Sequence, residues 1–490
     1  MENGKKPTRR DFLKLAGAVS GSSILAACAP AQPAVSAATA APAATAAPAA
    51  TAAPAATAAP AATAAQTTPE AEKVNVIYWV EHTDKKTNDS LDNYVLSSFY
   101  KAYPDVQIEL VPQPDYDRKL DAAVAADVVP DLYNQGGPAW VTPYAQAGYT
   151  LDLTPYIDDR GWREKLWPWM WDSVRFQDKT ICLPTEFEML NLYYNAPLFA
   201  ENGWAIPENY EQIMALGKAM QNKDMIPYGF GSSGASLVHQ WWWTYAFHAN
   251  AGAHAVWEAL TSQRSWSDGI FVDAIQKLLD LWNAGFLSDK QALGISVSDG
   301  RGLWTTGKAA MIQEGTWTLR AIDQWAGNLP WEMAQAPMWN PDVLAQPAIG
   351  CGETLQINAK TKVVDACINF ADHTFFADKT TILKWADKPG IPATYLPPMN
   401  YEEADFPPTF NPVYKKTILS MVDAAQNQNF GFIAWSNWPK QTNTYLWSNL
   451  EAVYLGQMTP TEYMAGTQKA YAAEFEQGLT MTNLPEPRSS

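Results

Sequence analysis

Between Thr39 and Thr63 the chain repeats the hexamer Thr-Ala-Ala-Pro-Ala-Ala, with threonine at 39, 45, 51, 57 and 63 and proline at 42, 48, 54 and 60. A proline every six residues forbids a helix, because each ring removes a backbone donor and clashes with the turn before it. Alanine and threonine methyls bury too little apolar area to offset the entropy of ordering the chain. Residues 29–72 are therefore expected to be an Ala/Pro/Thr-rich disordered tether, and the fold has to be built from the later part of the chain, about residue 73 to 485.

The segment before the repeat reads as an address. Thr8-Arg9-Arg10-Asp11-Phe12-Leu13-Lys14 leads into an apolar run, Leu15 to Ala27, that is diluted by Ala, Gly and Ser. That run is too short to span a bilayer core of about 30 Å, so a removable export signal over residues 1–28 is expected. The arginine pair resembles a twin-arginine signal, and Leu25-Ala26-Ala27-Cys28 resembles a lipobox whose cysteine becomes the lipidated first residue of the mature protein. The pattern leaves open whether the twin-arginine or the general route is used. It places the globule outside the cytoplasm, on the outer face of the cell membrane, held there by lipidated Cys28 alone.

The formal charge is −17, and the first 28 residues carry five basic against two acidic side chains, so the mature chain carries −20. Such a field repels nucleic acid and anionic lipid, leaves a neutral solute untouched and attracts a cationic one. Three cysteines remain after Cys28: Cys182, Cys351 and Cys367, with no CxxC pair. Buried free thiols are expected, and a bridge between Cys351 and Cys367 stays open. The five histidines form no HExxH and no pair at metal spacing, so no metal or cofactor is expected.

The fold begins legibly. Val74 to Val80 is strand-like, and Leu91, Tyr94, Val95, Ser98, Phe99 and Ala102 recur at helical spacing until Pro104 ends the run. Val106 to Leu110 alternates as a second strand. A short helix carries Leu120, Ala123 and Val124, and Asp131 to Asn134 reads as a third strand running into Gly136-Gly137. Strand, helix, strand, helix, strand implies an α/β fold with a parallel sheet, whose ligands collect beyond the carboxyl ends of the strands, here Glu81-His82 and Asn134 to Gly137.

The next segments carry a family resemblance over nearly the whole mature chain. Leu183-Pro184 through Leu192-Tyr193-Tyr194-Asn195-Ala196-Pro197-Leu198-Phe199, then Asn202-Gly203-Trp204 and a helix from Pro207, resembles the central motif of extracellular solute-binding proteins of family 1. Thr306-Gly307-Lys308-Ala309-Ala310-Met311 with Gly315-Thr316-Trp317 is similar to that family's GKAAM and G-x-W elements. Leu355 to Thr361 and Gly456 to Glu462 fit its later elements. The resemblance implies the carbohydrate-binding component of an ABC importer, with a two-lobed periplasmic-binding-protein type II fold that closes on its solute. It places crossovers near Phe187, Gly352 and Ile391. Lobe 1 would then comprise residues 73–186 and 354–392, and lobe 2 residues 187–353 and 393–490. The expected ligand is a neutral sugar, an oligosaccharide, bound between the lobes; the implied partners are this small-molecule carbohydrate and membrane permease subunits with an ATPase, and the chain is expected to act as a monomer.

Composition points to the same ligand class independently, because 22 tryptophans is a heavy load for 490 residues. A pyranose has an apolar C–H face and a rim of hydroxyls, so its site needs flat aromatic platforms bordered by polar groups. Trp241-Trp242-Trp243 cannot place all three indoles on one helical face, since neighbours point about 100° apart. Trp435-Ser436-Asn437-Trp438-Pro439 reads as a turn, and Trp317 follows a Gly-Thr break. Trp241, Trp242, Trp317, Trp435 and Trp438 are the candidate platforms, whereas Trp167, Trp169, Trp171, Trp257 and Trp282 read as core or surface.

Among polar candidates the resemblance singles out Glu188, the acidic residue before the Tyr-Tyr-Asn strand that in the family lies at the crossover and bonds sugar hydroxyls. Glu186 competes with it; Glu81, Gln135 and Gln240, then His82, Glu353 and Asn437, rank after them. Glu186 and Glu188 point the same way on a strand, so a secreted glycoside hydrolase using paired carboxylates is the alternative. The family pattern is non-catalytic, and no GxSxG elbow, Walker loop or dinucleotide fingerprint is present.

Overall fold

The structure is a computed structural model that describes residues 73–81, 85–233, 237–319, 322, 329–388, 391 and 396–488. The basic start, Cys28, the hexamer repeat and His82 lie outside these residues.

Strand β1 (Val74–Val80) buries Val76, Tyr78 and Val80, every second residue, as a pleated strand with one face on a core must. The chain then runs helically from Lys85 to Ala102, with a π-helical stretch at Leu91–Leu96. That stretch turns the helical face: Leu91, Val95, Leu96 and Phe99 are buried, whereas Tyr94, expected on the apolar stripe, is exposed. Strand β2 (Val106–Pro112) pairs parallel with β1 on one side, and β3 (Leu132–Gln135) pairs parallel with it on the other. The three strands are parallel, as the strand-helix-strand-helix-strand pattern predicts, and they lie in the order β2-β1-β3.

A small hairpin of β4 (Arg175–Phe176) and β5 (Lys179–Thr180) precedes the long β6 (Leu183–Asn195). The remaining strands are β7 (Ile226–Tyr228), β8 (Ala309–Gly315), β9 (Trp331–Gln335), β10 (Ala348–Ile357) and β11 (Gly431–Phe432). The main path of the sheet runs β2-β1-β3-β10-β6-β8-β7, with β9 against β6 and β11 against β10. Strand β6 changes neighbours along its length: Leu183 to Met189 lies against β10, and Leu190 to Asn195 lies between β8 and β9. Strand β10 likewise passes from β11 at Ala348 and Ile349 to β3 at Thr354 to Ile357.

Phe187 and Cys351 are register partners, so the crossings expected near Phe187 and Gly352 lie side by side. Ile391 packs against Leu91 and Val95, and the residues flanking it lie outside the described set. The register of β10 on β6 slips twice between Cys351 and Thr354, the mark of a bulge. Cys182, Cys351 and Cys367 are buried free thiols, so the bridge left open by the sequence is not formed.

Helix Gly269–Asn283 buries Phe271, Ala274, Ile275, Leu278, Leu281 and Trp282 along one stripe, and the Asp268 side chain caps its start. Helix Leu237–Leu260, broken by Gly252 at φ 80°, is apolar on every side and correspondingly buried all round. Helices Lys440–Tyr454 and Pro460–Glu476 complete the C-terminal part. The first of these begins on a carboxylate from the second: Glu474 accepts from the Gln441 and Thr442 amides at 2.8 and 2.7 Å and from the Thr442 hydroxyl at 2.7 Å.

Candidate functional site

A cavity of about 590 Å³ opens where β1 and β3 end and β6 crosses β10. Residues two apart on a strand share a face, so β6 directs both Glu186 and Glu188 into it. The β10 bulge presents Glu353 beside them, close to the Glu186 carboxyl and the Asn134 side chain. Gly352 is glycine for a steric reason: a Cβ there would stand 1.6 Å from Glu188 Oε2. Glu81 follows β1, Asn134 and Gln135 end β3, and helix Tyr116–Ala126 adds Asp117. The Tyr116 hydroxyl ties these loops together, accepting from the Asn134 amide at 2.8 Å and donating to the Trp79 carbonyl at 3.3 Å. Gln135 Nε2 donates to Asp117 Oδ1 at 3.3 Å, which leaves Gln135 Oε1, like Asn134 Oδ1, enclosed and without a hydrogen-bond partner in the structure.

The crowding shows in the acidities. Desolvation first, then repulsion from Glu353 and Glu81, pushes the Glu188 carboxyl up to about 8. Glu81 is open to the cleft, but protein packed around its carboxyl and the nearby charge of Asp117 raise it to about 7. Glu353 is held well above the ordinary carboxylate range by desolvation and by Glu186 and Glu81.

The opposite wall is aromatic. Trp241 lies 5.1 Å from Trp317 between ring centroids, and Trp317 meets Trp435 edge-on at 5.6 Å. The Trp140 indole donates to the Trp435 carbonyl at 2.9 Å, and its ring packs on Trp447. Arg301, on helix Val297–Thr305, grips Glu314 of β8 through two bonds of 2.7 and 3.1 Å and stands over the Trp241 ring. Glu314 also accepts from the Trp317 indole at 3.2 Å. Gly315 makes room for that ring, since a Cβ there would fall 1.9 Å from it.

Of the residues singled out in the sequence, Glu81, Gln135, Glu186, Glu188, Gln240, Trp241, Trp317 and Trp435 line this one cavity, and so does Glu353. Two do not. Trp242 is 1 % exposed, packed edge-on against Tyr228 and Phe230 in the core, because this part of its helix is covered all round and only Gln240 and Trp241 reach the cavity. Trp438 is 0 % exposed, 4.3 Å from Trp243 and 4.8 Å from Trp266. The short helix Ala434–Asn437 turns the chain between Trp435 and Trp438, so the second indole enters the core. Asn437 is also turned away, its amide donating to the Ile433 carbonyl.

The sequence reading missed Trp140, Trp447, Tyr116, Asp117 and Arg301, all of which line the cavity. Trp140 had a signal, lying in the first turn after the Gly136-Gly137 ligand loop; Trp447 sits mid-helix with none. Among the described residues no three His, Cys, Asp or Glu side chains are grouped to hold a metal ion, and no helix is long and apolar enough to cross a membrane.

Comparison with known proteins gives consistent likenesses. The chain is 22 % identical over 341 residues to the multiple sugar-binding protein of Streptococcus mutans, covering 66 % of this chain and 75 % of that one. Its fold superimposes on a chitin oligosaccharide binding protein with a TM-score of 0.70 at 21 % identity, covering 82 % of this chain and 99 % of the other. The GacH receptor of Streptomyces glaucescens, solved unliganded and with acarbose, superimposes with a TM-score of 0.63 at 19 % identity, covering 82 % and 99 %. These likenesses establish the α/β fold of periplasmic sugar-binding proteins for this chain. Residues 84–366, more than half of the sequence, match the model of the bacterial extracellular solute-binding proteins, and the chain belongs to that family.

Proposed function

We propose that this protein is the extracytoplasmic receptor of an ABC importer, binding a sugar of two or more rings in the cavity between β6, β10 and the tryptophan wall and presenting it to a membrane permease driven by an ATPase. The observation that carries this reading is the pairing of surfaces: indoles at Trp241, Trp317 and Trp435 face carboxyl and amide groups across about 590 Å³, a volume suited to a small ligand. The indoles suit the C–H faces of pyranose rings, and the carboxylates accept hydroxyl hydrogens in charge-assisted bonds. The names of the relatives point the same way.

In this reading residues 73–186 with 354–392 and residues 187–353 with 393–490 act as two lobes that close on the sugar about the adjacent crossings at Phe187 and Gly352. The protein catalyses nothing, works as a monomer, and is held at the outer face of the membrane by lipidated Cys28 after export. The test is intrinsic tryptophan fluorescence titrated with mono- and oligosaccharides. A saturable change without new reducing ends supports a receptor, and reducing ends appearing in the mixture establish the hydrolase alternative instead.

A further inference from the structure

Five carboxyl side chains from four elements face one cavity: Glu81 after β1, Asp117 from helix Tyr116–Ala126, Glu186 and Glu188 of β6, and Glu353 of β10. Among the described lining residues the only cation is Arg301, and its guanidinium is committed to Glu314. Two more acceptors, Asn134 Oδ1 and Gln135 Oε1, lie enclosed without partners on residues that line the same cleft, 6 % and 3 % exposed. That end is rich in acceptors and poor in donors. A metal ion does not suit it, because these carboxyls are not grouped at metal distance.

Resting on the reading that the cleft binds a sugar, we propose that its ligand is an aminated oligosaccharide, whose protonated amine sits among Glu81, Glu188 and Glu353 while its rings lie against Trp241, Trp317 and Trp435. An ammonium brings three N–H donors and a positive charge to a place that offers carboxylates and amide oxygens. The neutral sugar expected from the sequence rested on the family resemblance and the tryptophan content, which do not report the charge of the ligand; the structure gathers five carboxyl side chains in one cleft.

The acidities support the geometry. Asp117, Glu186, the Tyr116 hydroxyl and the Arg301–Glu314 pair line the cleft with the three glutamates; burial first, then the charge of Asp117 on Glu81 and of Glu353 and Glu81 on Glu188, keeps Glu81 and Glu188 up at about 7 and about 8. An ammonium beside them favours the ionised forms, so binding at mildly acidic pH, where the sugar amine already carries its proton, releases protons to the buffer.

The experiment is isothermal titration calorimetry of the full-length protein with a β-1,4-linked glucosamine oligomer, its N-acetylated counterpart and the glucose oligomer of equal length, at mildly acidic pH where the amine is protonated, in two buffers of different ionisation heat. The glucosamine oligomer is expected to bind about tenfold tighter or more than either other ligand, with proton release. Glu188→Gln and Glu353→Gln, each checked for an intact thermal transition, are expected to bring the three ligands to within about threefold of one another. Equal or tighter binding of the acetylated or glucose oligomer without proton release overturns the amine and leaves the sugar reading standing. No binding by these three or by any sugar in the fluorescence panel overturns both.

Discussion

Replacing Gly352 by alanine tests whether Glu188 is held in place by the missing side chain of its neighbour. The added Cβ would stand 1.6 Å from Glu188 Oε2 and 1.9 Å from the carboxyl carbon, whereas ordinary contact needs about 3.5 Å, so the carboxyl must move by roughly 2 Å. Hydrogen bonds weaken steeply beyond about 3.2 Å, so such a move breaks any bond Glu188 makes to ligand. A bond to a charged group is worth about 1.5–3 kcal/mol, which corresponds to roughly 10- to 150-fold in Kd. Stability should hardly change, because the displaced group is the end of a flexible side chain bordering a cavity, and the Gly→Ala change narrows the unfolded ensemble by about 0.4–1 kcal/mol. The assay is a double-mutant cycle with Glu188→Ala, reading affinity by titration and stability by thermal unfolding. Gly352→Ala should weaken binding in the wild-type background and cost nothing further once Glu188 is alanine. Full affinity in Gly352→Ala, or an equal loss in both backgrounds, refutes the reasoning.

The two sets of tryptophans should separate in the same assays. Trp317→Ala is expected to weaken sugar binding by about tenfold with a modest stability loss, whereas Trp438→Ala, which empties the Trp243–Trp266 cluster, should cost about 3–5 kcal/mol of stability. Equal stability losses in both would undo that division. Glu474→Ala removes three hydrogen bonds from the start of helix Lys440–Tyr454 and should cost about 2–3 kcal/mol in denaturant unfolding; a neutral result would mean that the helix start is satisfied otherwise. Ligand-free stability should also fall as pH rises. Glu81 and Glu188 titrate higher in the folded protein, at about 7 and about 8, than their ordinary 4.5, so the folded state binds more protons and loses stability as they ionise. His239 and His248, lowered by burial to about 4 from 6.5, act in the opposite direction between those values, so the net loss should concentrate between about 6.5 and about 8. A thermal melting series over that range should show it, flattened in Glu188→Gln; a flat wild-type profile would contradict the assigned burial.

The parts of this molecule legible from sequence are those where one-dimensional pattern and three-dimensional role coincide. Val76, Tyr78 and Val80 announce β1 by alternation, and the βαβαβ rhythm from Val74 to Gln135 fixes three parallel strands and the side on which Glu81 and Gln135 emerge. Glu186 and Glu188 were legible as a same-face pair for the same reason. Rotation was not legible: the π-helical stretch at Leu91–Leu96 exposes Tyr94 against helical spacing, and the turn at Ala434–Asn437 sends Trp438 into the core while Trp435 stays at the cavity. Nor does local sequence reveal that Trp140 and Trp447, more than 300 residues apart, pack against each other at a tilt, because that contact exists only once helix Lys440–Tyr454 has docked.

The most direct measurement is a crystal structure with a bound oligosaccharide. Sugar rings are expected with their C–H faces on Trp241, Trp317 or Trp435, with a ligand polar group within hydrogen-bond distance of Glu188 and the two lobes closed on the sugar about the crossing of β6 and β10. Ligand bound at saturation elsewhere on the protein, with these indoles and Glu188 untouched, would contradict it.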